Sequence, residues 1–239
     1  SVDVTDGTIN SSFDATHDLD LTVNAAAADH LKVTGTASMT AGATNELTVT
    51  AHDAFGNTAT SYTGAKSLTF SGLANSPNGD VPTVEGTNFG SATSVTFTSG
   101  VSNSNAATLV AYKVETASVD ITDGTITSAF DAAHDLDLTV NPATASILKI
   151  TGTASMTAGT TNELTITAYD PFGNTATGYA GSKTLTFSGL ATSPDGNIPT
   201  VEGINFGTGT SVTFTSGVSN VNAGTLIAYK AETASVDVS

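Results

Sequence analysis

No cysteine and no tryptophan occur among the 239 residues, and apart from four histidines the only cations are six lysines. Without cysteine the chain can form neither a disulfide nor a thiolate metal site, and a thiol nucleophile is excluded. With 22 acidic residues the formal net charge is −16. Such a surface repels phosphate backbones and anionic lipid alike, which argues against nucleic acid as a partner. No apolar run approaches the ~18 residues of a spanning helix, so no membrane insertion is expected in this segment. Helical spacing of apolar residues is missing as well.

What is present is repetition. SVDVTDGTIN at Ser1 returns as SVDITDGTIT at Ser118, and HDLDLTVN at His17 returns at His134, a period of 117 residues. Roughly three quarters of the positions recur unchanged at that offset, and the unit is long enough to hold a core of its own. A third copy opens at Ser235.

Within each copy, β-branched residues alternate with polar ones between Gly, Asn, Asp and Pro. This is the pattern of short strands with one face buried. In Glu46–Ala51, Leu47, Val49 and Ala51 point to one side and Thr48 and Thr50 to the other. The same parity buries Leu31 and Val33, Leu68 and Phe70, Val95 and Phe97, Val119 and Ile121, and Leu136, Leu138 and Val140. Strands are predicted near 30–37, 45–53, 65–71, 93–99, 107–115, 117–122 and 134–141. Seven strands in about 115 residues is the immunoglobulin-like count, so the predicted fold is all-β, with tandem immunoglobulin-like β-sandwich domains. The stretch from Gly72 to Gly90 reads as an insertion with a small hairpin. Linkers are expected at Asn24–Ala28 and at Asn141–Ala145, where Pro142 cannot extend a ladder. The boundaries become 1–24, the C-terminal strand pair of a preceding repeat; 27–141, a complete repeat; and 144–239, a repeat lacking its last strands.

Leu31-Lys-Val-Thr-Gly, Val49-Thr-Ala-His-Asp-Ala-Phe-Gly-Asn57, Tyr62-Thr-Gly, Leu68-Thr-Phe-Ser-Gly72 and Leu21-Thr-Val-Asn24, in this order and twice over, resemble the bacterial Ig-like (Big) repeats of large secreted and cell-surface proteins. The resemblance spans essentially the whole chain. It implies an extracellular stalk or filament, of the kind found in adhesins and invasin-like proteins, and it implies no catalytic residue.

Candidate chemistry is sparse. Asp53 and Asn57, matched by Asp170 and Asn174, either offer oxygens to Ca²⁺ or tie a tight turn through backbone amides; Phe55 and Phe172 are expected to anchor that turn on the core. Asp18 and Asp20, matched by Asp135 and Asp137, read as a solvated acidic edge or as a weak calcium site near the domain junction. Calcium is therefore the one cofactor considered. Of the histidines, His30 and His52 are replaced by Ile147 and Tyr169 in the second copy, so a histidine-based catalytic centre is not expected. Lys66 and Lys183 either pack their stems at a rim or form an isopeptide bond with Asn. Abundant surface Ser and Thr, and Asn10-Ser-Ser12, could carry sugars.

Two functions fit. A spacer or filament repeat needs only stability and length, whereas an adhesive module for a surface glycan or receptor would display aromatics. Residues 1–24 are the strand pair that 144–239 lacks, so further copies are the expected partners, head to tail, with residues 1–24 of one completing 144–239 of its neighbour. This holds whether the copies form one continuous polypeptide or separate subunits that exchange strands.

Overall fold

The structure, a computed structural model, describes residues 1–11, 16 and 19–239. Every regular element among them is a strand. The first copy contains β1 (Ala28–Thr34), β2 (Ser38–Thr40), β3 (Thr44–Glu46), β4 (Thr48–Asp53), β5 (Gly64–Ser71), β6 (Thr83–Val84), β7 (Thr87–Asn88), β8 (Ala92–Thr98), β9 (Val101–Ser102), β10 (Thr108–Val110), β11 (Glu115–Thr122) and β12 (Leu136–Asn141). The second contains β13 (Ile147–Thr151), β14 (Thr161–Glu163), β15 (Thr165–Tyr169), β16 (Gly181–Ser188), β17 (Thr200–Val201), β18 (Ile204–Asn205), β19 (Gly209–Thr215), β20 (Val218–Ser219), β21 (Thr225–Ile227) and β22 (Asp237–Val238).

In the first copy one sheet runs β1-β4-β9-β8-β5-β11-β12-β2 and a smaller one β3-β10-β6-β7. Leu31, Val49, Leu68 and Val95 from the larger sheet and Val84 and Leu109 from the smaller join one buried cluster, a β-sandwich-like arrangement. The residues assigned inward by alternation are buried there, each full burial contributing about 1.5–3 kcal/mol.

The strand expected over 45–53 divides at Leu47, because its two halves belong to different sheets. The Leu47 N–H donates to the Ala107 carbonyl at 3.0 Å, while Val49 N–H is taken by Ser102 Oγ at 2.9 Å. The strand expected over 107–115 shortens to β10, since the Ala111 carbonyl instead accepts from Gly42 N–H at 2.8 Å. The hairpin in the insertion is real, but it lies in the smaller sheet and carries Val84 into the core. Its two-residue turn puts Glu85 and Gly86 at φ 50° and 72°, both left-handed, as a tight hairpin with strand-matched twist requires.

β11 and β12 close the first copy. β11 pairs with β5, β12 pairs in parallel with β2, and the outer edge of β1 is met by Leu31 N–H to the Thr127 carbonyl (3.1 Å) and Val33 N–H to the His134 carbonyl (2.9 Å). The second copy has only the two-residue β22 against β16. With no counterpart of β12 to pair with, residues 155–157 are not a strand, although they repeat the sequence of β2. Leu148 and Ile150, matching the fully buried Leu31 and Val33, are only half-buried.

Candidate functional site

The Asp-x-Phe-Gly-Asn turn is built the same way in both copies. Asp170 Oδ1 accepts the N–H groups of Phe172 and Asn174, both at 2.9 Å, and Oδ2 accepts Asn174 Nδ2 at 2.9 Å and the linker N–H of Ala143 at 3.0 Å. Asp53 likewise receives Phe55 N–H, Asn57 N–H, the Asn57 amide and, from the other linker, Ala26 N–H at 2.9 Å. These donors favour the ionised form, the Asn57 side chain most strongly and the backbone amides after it, and hold the Asp53 carboxyl at about 2. Asp and Asn are thus brought together in both copies, bonded to each other and to turn amides.

The surroundings of the two turns differ. The second turn docks on the first copy: Asn174 Oδ1 accepts Val114 N–H at 2.9 Å and its Nδ2 donates to the Tyr112 carbonyl at 2.7 Å. Asn78 donates its N–H to the Phe172 carbonyl (3.2 Å) and its Nδ2 to the Pro171 carbonyl (3.0 Å). The Phe172 ring packs on the first core, 5.0 Å from the Tyr112 ring, in a space that a Cβ on Gly42 would enter at 2.4 Å. Phe172 therefore anchors its turn on the core of the other copy rather than its own. Phe55 does not anchor its turn on the core; it is 83% exposed.

A second unsatisfied feature lies on the second copy. A groove of about 620 Å³ runs along Ile147–Ile150 and Val236–Val238, and a further one of about 500 Å³ continues past Met156 and Leu190. The described part of residues 1–24 meanwhile repeats two pairings of the β11–β12 hairpin, with Val2 bridged to Leu19 as Val119 is to Leu136, and Thr5 to Asn10 as Thr122 is to Thr127. Val2, Val4, Leu19, Leu21 and Val23, the counterparts of Val119, Ile121, Leu136, Leu138 and Val140, are all exposed.

Asp18 lies outside the described residues and Asp20 is exposed. Asp137 Oδ1 accepts Ser118 Oγ–H at 2.7 Å. Asp135 has a buried Oδ1 without a hydrogen-bond partner, and its carboxyl is pushed up by burial and by the Asp120 carboxylate opposite. Among the described residues no three His, Asp or Glu side chains are grouped so as to hold a metal ion. Lys66 and Lys183 place Nζ over the rings of Tyr62 and Tyr179, at 4.5 and 4.8 Å. No helix among the described residues is long and apolar enough to cross a membrane.

Three groupings escaped the reading of the sequence. Asn45, buried, locks a corner by exchanging two hydrogen bonds with the Thr36 backbone, at 3.1 and 2.7 Å. Tyr62 reaches Asp123 across the larger sheet. His30 stacks on Phe130 and meets the His134 ring edge-on, at 4.8 and 4.5 Å. The signal for the first two was recurrence: Asn45 returns as Asn162 in an identical Thr-Asn-Glu-Leu context, and Tyr62 and Asp123 have Tyr179 and Asp6 one period away.

No family model matches the chain, and no curated protein matches it.

Proposed function

We propose that this chain is a structural repeat of immunoglobulin-like domains that stacks end to end as an extracellular stalk or filament, similar in kind to bacterial Ig-like repeats. The observation that carries the reading is a matched deficit and surplus. Where the first copy holds β12 the second has an open groove, with only the two-residue β22 at the place of β11, and the described part of residues 1–24 presents the counterparts of the apolar residues of β11 and β12, exposed. Residues 1–24 of one copy complete residues 144–239 of the copy before it, Ser1–Val4 displacing the identical Ser235–Val238 from beside β16. Each aliphatic side chain seated there contributes about 1.5–3 kcal/mol, offset in part by the entropy of joining two bodies. The acidic surface and the near-identity of the copies support a spacing role.

The test is small-angle scattering of the chain over a range of concentrations, beside a Leu21→Asp variant and a chain extended after Ala234 by a copy of residues 118–141. The chain is expected to lengthen with concentration. Leu21→Asp and the extended chain, whose groove is filled from within, are expected to stay short. A chain whose residues 1–24 fold onto its own second repeat, and which stays compact at every concentration, would overturn the reading.

A further inference from the structure

We infer that the Asp53–Asn57 turn is a docking site for a second copy of this chain, with Phe55 seated on the far end of that copy's second repeat against Gly159 and Tyr229. The inference rests on the end-to-end reading above but concerns a different surface from the groove.

The joint inside the chain supplies the pattern. Phe172 fills the space beside Gly42 and Tyr112, and Asn174 bridges Val114 N–H and the Tyr112 carbonyl. One period later the receiving face recurs as Gly159, Tyr229 and Ala231, with Gly159 N–H bonded to the Ala228 carbonyl at 2.8 Å just as Gly42 is to Ala111. Nothing lies within 4 Å of where a Cβ on Gly159 would be, so the seat that Phe172 occupies on the first copy is vacant on the second. One period earlier the inserting element recurs as Phe55 and Asn57, both exposed, on a turn with the same internal hydrogen bonds.

The approach direction is also already set. The linker meets the turn through Ala26 N–H to Asp53 Oδ2 at 2.9 Å, and through Ala143 N–H to Asp170 Oδ2 at 3.0 Å. A chain leaving a filled groove at Asn24 therefore delivers Phe55 to the end of the preceding copy as Asn141 delivers Phe172. One contact is lost, because Asp195 replaces Asn78 and carries no side-chain donor for the Ala54 carbonyl. The backbone N–H and the two Asn57 bonds do not depend on it.

The chain has no tryptophan, so Phe55→Trp reports the seat directly. Its emission is expected to be that of an exposed indole in dilute chain and to shift to the blue as scattering shows the chains lengthening. Phe172→Trp is expected to be blue-shifted at every concentration. Tyr229→Ala, combined with Phe55→Trp, is expected to weaken association at least tenfold and to reduce the shift. In a covalent tandem, residues 1–234 followed by 1–239, the trailing Phe55→Trp is expected to be blue-shifted without dilution dependence. Lengthening with an unshifted indole, or a shift indifferent to Tyr229→Ala, would overturn the docking site while leaving groove completion intact. An unshifted indole in the tandem and no lengthening of the chain would overturn both.

Discussion

Tyr62 donates its hydroxyl to Asp123 Oδ2 at 2.8 Å, tying the turn after β4 to the loop that follows β11. Burial, and then this hydrogen bond, raise the Tyr62 hydroxyl above its ordinary value. Tyr179 holds the same place in the second copy, but the counterpart of Asp123 one period away is Asp6, on the unattached hairpin. Tyr62→Phe is expected to destabilise the chain by about 1.5–2 kcal/mol, since the lost bond is to a carboxylate, and Tyr179→Phe by almost nothing until Asp6 of another copy is seated. Because the folded value is raised, the stabilisation is complete below about pH 10 and is lost as pH rises beyond it. Chemical denaturation between pH 8 and 11 should show a shallower alkaline fall for Tyr62→Phe.

Asn174 is buried at the joint and Asn57 is exposed, although their turns are otherwise alike. Asn174→Ala leaves Val114 N–H and the Tyr112 carbonyl without their partner and is expected to lower stability by about 2–3 kcal/mol. Asn57→Ala removes bonds to Asp53 alone and is expected to lower it by about 1 kcal/mol. Urea denaturation of the two variants measures the difference.

The Asp53 carboxyl, held at about 2, contributes stability above its ordinary value near 4. That contribution is lost as pH falls from about 4 towards about 2. Stability measured across this window is expected to decline more gently in Asp53→Asn than in the unaltered chain. Equal slopes would show that the turn does not carry the acid sensitivity.

Asp135 works in the opposite sense. In the continuing register of β11 and β12 it falls opposite Asp120, and burial together with that carboxylate raises it. Its ionised form is therefore a penalty at neutral pH, relieved as pH falls through the raised value towards about 4. Asp135→Asn is expected to stabilise the chain at pH 7 by about 0.5–1 kcal/mol, with the gain shrinking in acid. A lower melting temperature for the variant at pH 7 would contradict this.

Much of the first copy was legible without coordinates. Alternation names the face on which Leu31, Val49, Leu68, Phe70 and Phe97 lie, because a strand's side chains point alternately to either side whatever the strand packs against. The period of 117 residues names the unit, and Asp-x-Phe-Gly-Asn names a turn, because Asp and Asn bond to neighbouring amides within a few residues. All of these are local. Which sheet each half of 44–53 joins, and whether residues like those of β2 form a strand at all, depend on partners a hundred residues away: Ser38–Thr40 pairs with β12, and residues 155–157 have nothing to pair with. Phe55 and Phe172 make the division plain. Their turns are nearly the same in sequence and in internal hydrogen bonds, yet one ring is exposed and the other packs beside Tyr112. Burial is a property of what stands on the other side of a surface, and only the tertiary structure supplies that neighbour.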